Sequence, residues 1–168
     1  AGDAPHVAVV FPLPAAVAGR LAVPGGEPAG DLHLTLVYLG RRVLTDEERA
    51  RVLGAVKAWA SVRQPLPLRV GLPGRFVGAD PAKGDAAFRY VSGAGLVDAR
   101  ASLVRALEGA GFPNASQHPA WVAHVTVAYV KRGEDSPVGD VEPVEVSMDR
   151  VALWEGDRRT EVAVGDDA

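Results

Sequence analysis

Two histidines and two threonines stand at matched places in this chain. His33-Leu34-Thr35-Leu36-Val37-Tyr38-Leu39 recurs as His124-Val125-Thr126-Val127-Ala128-Tyr129-Val130, 91 residues further on in a chain of 168. An unperturbed imidazole titrates near ~6.5, so at neutral pH it can take up or give up a proton. In-line cleavage of a phosphodiester needs one proton removed from the attacking oxygen and another delivered to the leaving oxygen. One His on each side of phosphorus supplies both steps. A hydroxyl beside each His can donate to the non-bridging oxygens as negative charge builds up on them. A lone His on a strand is usually structural; the duplication of the whole phrase is what favours the paired reading.

Both copies are rich in β-branched residues and alternate apolar with polar, the pattern of a half-buried strand. Side chains two apart on a strand share a face. Strict alternation therefore puts His33 with Thr35, and His124 with Thr126. It puts Leu34, Leu36 and Tyr38 on the opposite face, with Val125, Val127 and Tyr129. On that count both tyrosines, and Trp121 too, belong to the core.

At these residues the chain resembles the 2H phosphoesterase superfamily, which includes the 2′-5′ RNA ligase-like proteins and the cyclic phosphodiesterases. Its two His-x-Thr/Ser-x motifs correspond to His33-Leu34-Thr35-Leu36 and His124-Val125-Thr126-Val127. The sequence Tyr38-Leu39-Gly40 extends the likeness. The resemblance implies an α+β fold of two pseudo-symmetric lobes of antiparallel sheet, helices outside and an active-site groove between them. It also implies His33, Thr35, His124 and Thr126 as the catalytic set, with His124 as base and His33 as acid. Members often carry a basic residue five positions after the second His; here that residue is Tyr129.

The implied activity is a metal-independent phosphoesterase acting on 2′,3′-cyclic phosphates or 2′-5′ phosphodiesters, without a cofactor. A related enzyme reading is degradation of cyclic or 2′-5′-linked nucleotide signals, as in some phage relatives. A reading from another class is a module that binds a nucleotide or an RNA end without turnover. The paired proton-transfer groups weigh against it.

Composition bounds the alternatives. With 48% apolar and 23% charged residues the chain can bury a core. The length suits one bilobal domain over residues 1–168. The absence of cysteine excludes disulfides, thiolate metal sites and a Cys nucleophile. No apolar run approaches the ~18 residues of a membrane span and no signal-peptide pattern opens the chain, so a cytoplasmic monomer is the default. A net charge of −3 disfavours binding along a nucleic-acid duplex. Arg41-Arg42, Lys131-Arg132 and Arg158-Arg159 are the only basic pairs. Arg41, Lys131 and Arg132, just after the repeated phrases, are candidates to hold a phosphate or a flanking nucleotide.

The elements that must position these groups follow in a mixed order. Strands are expected at Val7–Leu13, Leu66–Leu72, Ala86–Val91, Trp121–Val130, Val144–Ser147, Asp149–Glu155 and Thr160–Val164, besides the first phrase. Pro14 suits the start of a short helix. Thr45 and Glu48 form a capping-box pattern, followed by Val52, Leu53, Val56, Trp59 and Ala60 at helical spacing. Leu96, Leu103, Val104 and Leu107 mark another helix, stopped near Gly109 and Gly111. Residues 71–84 hold several Gly and Pro and read as a long loop; Phe76 within it is the candidate to stack on a base. His6 and His118 lack a Thr partner and read as non-catalytic. A metal site built from Asp31, His33 and His124 lacks a further ligand at suitable spacing.

Overall fold

The structure, a computed structural model, describes residues 4–116, 118, 120–139 and 142–165. Its strands are β1 (His6–Pro12), β2 (His33–Arg41), β3 (Leu66–Phe76), β4 (Asp85–Ser92), β5 (His124–Val130), β6 (Val144–Met148), β7 (Arg150–Glu155) and β8 (Arg158–Ala163). The helices are α1 (Ala15–Leu21), α2 (Asp46–Ser61) and α3 (Leu96–Gly109), with a 3₁₀ turn at Ala29–Asp31. The strands form one curled antiparallel sheet in the order β6-β3-β4-β5-β2-β1-β7-β8. The two repeated phrases are its central strands, β5 and β2. Each is followed outward by three strands, so the sheet divides into two lobes of four.

The seam between the lobes is thin. β2 and β5 pair only at Leu34 opposite Val125. Beyond that point the motif strands diverge, and a groove opens over the face that carries the histidines.

The other face is covered. α2 packs on α3, β7 and β8, and α3 packs on β2. One core runs between helices and sheet, built from Val52, Val56, Trp59, Leu103 and Leu107 on the helices and Val9, Phe11, Leu34, Val125 and Leu153 on the strands. The helical spacing read from Val52 to Ala60 is therefore the spacing of a buried stripe. α2 begins where expected: the Thr45 hydroxyl accepts from the Glu48 N–H at 3.1 Å, and the Glu48 carboxylate accepts from the Thr45 N–H at 2.9 Å. Such a cap contributes about 1 kcal/mol.

The segment read as a long loop is strand over its first part, residues 71–76. β3 continues to Phe76, paired with β4 at Gly74 opposite Phe88 and Phe76 opposite Ala86. β6 accompanies β3 only as far as Val70, so Pro73 lies past a register shift on an unaccompanied edge, where no ladder donor is lost. Gly74 serves a close approach: a Cβ there would stand 2.5 Å from the Phe88 ring. Composition marked both residues as breakers, but each meets a specific demand of the strand. Among the described residues no helix is long and apolar enough to cross a membrane.

Candidate active site

His33 and His124 start β2 and β5, each half-buried at the seam. Their rings are held identically. His33 Nδ1 lies 2.8 Å from the Asp31 carbonyl oxygen and His124 Nδ1 lies 2.7 Å from that of Val122, two residues back in each case. A carbonyl only accepts, so each Nδ1 carries the proton and donates it. That fixes the tautomer and leaves Nε2 of both rings as the reactive nitrogen. Both rings, with Thr35 and Thr126, line one cavity of about 360 Å³. Neither threonine hydroxyl has a protein hydrogen-bond partner among the described residues.

Burial pushes the His33 imidazole below its ordinary value, against the hydrogen bond to Asp31; nearby Arg159 and His124 push it down further. Burial also lowers His124, opposed by the hydrogen bond to Val122 and assisted by His118. Both imidazoles are thus predominantly neutral at pH 7 in the empty site, and an anion placed between them would favour protonating one.

The strict alternation read from the sequence fails at the same position in both copies, and once more in the first, where Val7 pairs with Gly40 and Ala8 with Tyr38 and Leu39 is the extra residue. Opposite β1, Val9 pairs with Val37 and Val10 with Thr35, so Leu36 is the extra residue of a bulge. Opposite β4, Ala87 pairs with Ala128 and Phe88 with Thr126, so Val127 is the extra residue. A bulge reverses the parity of everything that follows it. Tyr129 accordingly turns to the histidine side, lines the cavity and is 60% exposed. Tyr38 is half-buried, with its hydroxyl 2.7 Å from His6 Nδ1. Neither tyrosine is the core residue that alternation implied. Trp121 does pack against the core.

A bulged residue's carbonyl needs a partner off the ladder. Leu36 O accepts from Arg100 Nε at 3.0 Å, and Val127 O accepts from the Glu27 N–H at 2.8 Å. The second bond lays the loop before the 3₁₀ turn against β5. It brings Glu27 and Asp31 to the cavity. Gly26 permits the contact, since a Cβ there would lie 2.6 Å from Val127 O. The Trp121 indole, with Arg100 over its ring, donates to Thr35 O at 3.2 Å. These supports are long-range and left no local pattern in the sequence.

Each His also has an aromatic neighbour from an outer strand. Trp154 on β7 lies 4.4 Å from the His33 ring. Phe76, at the end of β3, lies 4.9 Å from His124 and stacks on Phe88 at 4.3 Å. Phe88 itself is 5.1 Å from His124. Phe76 is therefore beside the site rather than in a loop lid. Sequence reasoning misses Trp154, Phe88, Arg159 and Glu27 as site residues and weighs Asp31 only as a metal ligand; pairing of the strands brings in the first three, and the loop bonded to Val127 brings in Glu27 and Asp31.

The other candidate cations stand elsewhere. Arg41, at the end of β2, donates through Nε to His6 at 3.3 Å. Arg132 bonds the Gly78 carbonyl and pairs with Asp85 at 3.8 Å, bracing the turn between β3 and β4. Lys131 is exposed, and its carbonyl accepts from Arg75 at 3.1 Å. None of the three lines the cavity. Among the described residues, no three His, Asp or Glu side chains are grouped as metal ligands would be.

A bilobal antiparallel sheet with a His and a Thr from each central strand facing one groove defines a 2H phosphoesterase. The sequence profile of the 2′-5′ RNA ligase superfamily matches residues 23–160, and the chain belongs to that superfamily. TT0787 of Thermus thermophilus has the same fold, with a TM-score of 0.65, 21% identity and 94% of each chain covered. So does E. coli LigT, solved in apo form, with a TM-score of 0.55, 16% identity, and 97% of this chain and 96% of LigT covered. LigT has also been solved in complex with 3′-AMP, at a TM-score of 0.55 and 15% identity over 95% of each chain. No curated protein sequence matches this chain significantly.

Proposed function

We propose that this protein is a metal-independent phosphoesterase that hydrolyses 2′,3′-cyclic phosphates or 2′-5′ phosphodiesters of nucleotides or RNA ends. The observation that carries this is the matched pair of imidazoles: each Nδ1–H is committed to a carbonyl, so both Nε2 atoms are left for proton transfer in a shared cavity. In the reaction, neutral His124 takes a proton from water through Nε2 as the water oxygen attacks phosphorus. Protonated His33 gives its Nε2 proton to the ribose oxygen as the P–O bond to it breaks. The products are a phosphomonoester and a free ribose hydroxyl, and a proton exchange with solvent resets the pair. Thr35 and Thr126 donate to the non-bridging oxygens, whose charge peaks in the transition state.

The empty site disfavours the protonated acid, and the substrate's own negative charge restores it, so activation accompanies binding. No step calls on a divalent ion. Phe76, beside His124 and partly exposed, offers a ring to a base. The LigT complex with 3′-AMP, a ribonucleotide monophosphate, supports a substrate of this class. The test is turnover of a panel of 2′,3′-cyclic nucleotides and 2′-5′ dinucleotides in excess EDTA. Hydrolysis is expected. Saturable binding without turnover would instead indicate a binding module, and activity restored only by zinc or manganese would contradict the metal-independent chemistry.

A further inference from the structure

A fixed positive charge favours the binding of a phosphodiester in a cavity. Arg159 is the only Arg or Lys that lines the cavity among the described residues. It comes from β8, opposite Trp154 on β7 and in the lobe of His33. The guanidinium lies 3.8 Å above the Trp154 ring, whose other neighbour is the His33 imidazole at 4.4 Å. Its Nη2 donates to Asp31 Oδ1 at 2.7 Å and its Nη1 to the Gly30 carbonyl at 3.1 Å. Two of its five N–H groups are thus used, and the other three have no protein acceptor among the described residues. Asp31 meanwhile holds the His33 ring through its carbonyl. One residue fixes both the guanidinium and the imidazole, so their relative placement is rigid. A guanidinium held on two sides with free N–H groups is well suited to phosphate oxygens, because its ordering cost is already met by the fold.

We propose that Arg159 is the phosphate-binding cation of this site, supplied by β8 of the His33 lobe. Its ligand is a phosphoryl group between the histidines: the scissile diester, the monoester product or inorganic phosphate. The proposal rests on the functional reading above only for the identity of the substrate, since anion binding can be measured without turnover.

Inorganic phosphate is titrated into the intact protein while the imidazole resonances of His33 and His124 are followed by NMR. Wild type should respond saturably at both. Arg159→Gln should weaken phosphate binding about tenfold or more and raise KM for any hydrolysed substrate, and the His33 pKa should rise as the nearby charge is lost. Arg159→Lys should keep part of the affinity and the low His33 pKa. Asp31→Asn separates this role from a structural brace. It leaves the cation in place and removes a competing carboxylate, so phosphate should bind at least as tightly as in wild type. Wild-type phosphate affinity in a folded Arg159→Gln protein, or an equal loss in Asp31→Asn, would overturn the assignment. Arg159-dependent phosphate binding in a protein that hydrolyses none of the panel would keep the anion site and remove the esterase reading.

Discussion

His33 and His124 are held by the same device and surrounded by different ones. Each ring donates Nδ1–H to a carbonyl two residues back, each has a Thr two residues on, and each strand bulges at the residue after that Thr. Around His33 the neighbours are polar: Trp154 lies beside the imidazole and under the Arg159 guanidinium, and Arg159 is tied to Asp31. Around His124 they are apolar and partly open. Phe76 and Tyr90 are 38% and 46% exposed, and Phe88 is buried between them. The His and Thr frame is duplicated, while its surroundings are not. A symmetric centre flanked by one charged wall and one aromatic shelf can accept an asymmetric ligand in a single direction, phosphate toward β8 and base toward β3.

The comparison breaks most severely at the histidines. His33→Ala and His124→Ala should each lower kcat by ~10²-fold or more, since each removes a separate proton transfer. Substrate binding should survive better, and steady-state kinetics against calorimetry separates the two effects. Near-wild-type turnover in either variant would end the two-histidine account. The threonines come next. Thr35→Val and Thr126→Val keep shape and delete the donor, so each should cost ~1–3 kcal/mol of transition-state stabilisation, chiefly in kcat. Unchanged kinetics would assign the repeated Thr to the strand alone.

Substitutions off the symmetric centre should differ in kind. Phe76→Ala should raise KM for nucleotide substrates by ~1–2 kcal/mol with kcat nearly constant, as expected for loss of one stacking platform. A fall in kcat alone would mean that Phe76 packs His124 and does not meet a base. The smallest effect is expected at the bulges. Leu36 O is satisfied by the Arg100 side chain and Val127 O by a backbone N–H, so only the first can be removed by mutation. Arg100→Leu should cost about 1 kcal/mol of stability in urea unfolding, with a smaller loss of kcat than either Thr variant.

The repeated phrase exposed the central strands, the four motif residues and, through them, the bilobal architecture. The capping box at Thr45 and the apolar spacing after it exposed α2. What stayed hidden was set by partners distant in sequence. Strict alternation misplaced Tyr38 and Tyr129 because a bulge is a property of pairing, and Leu36 and Val127 look like ordinary strand residues. Gly74 and Pro73 suggested a loop because their strand context depends on Phe88 and on where β6 stops. The basic pairs beside the motifs drew attention to Arg41, Lys131 and Arg132, while the cation that reaches the cavity arrives from β8, 35 residues after His124.

The central claim is that two imidazoles share the proton transfers, one neutral and one protonated. The pH dependence of kcat/KM, measured on the best cyclic phosphate or 2′-5′ substrate where chemistry limits the rate, tests it most directly. The active form requires the base His to have lost its proton and the acid His to have kept one, so the profile is a bell centred midway between their two pKa values. Burial lowers both below the ordinary 6.5. The maximum should therefore fall on the acid side of pH 6.5, with activity declining on both flanks. The profile for kcat should lie to the alkaline side of it, because bound phosphate favours the protonated acid. A flat profile between pH 5 and 9, or a single ionisation with no second limb, would contradict paired imidazole catalysis.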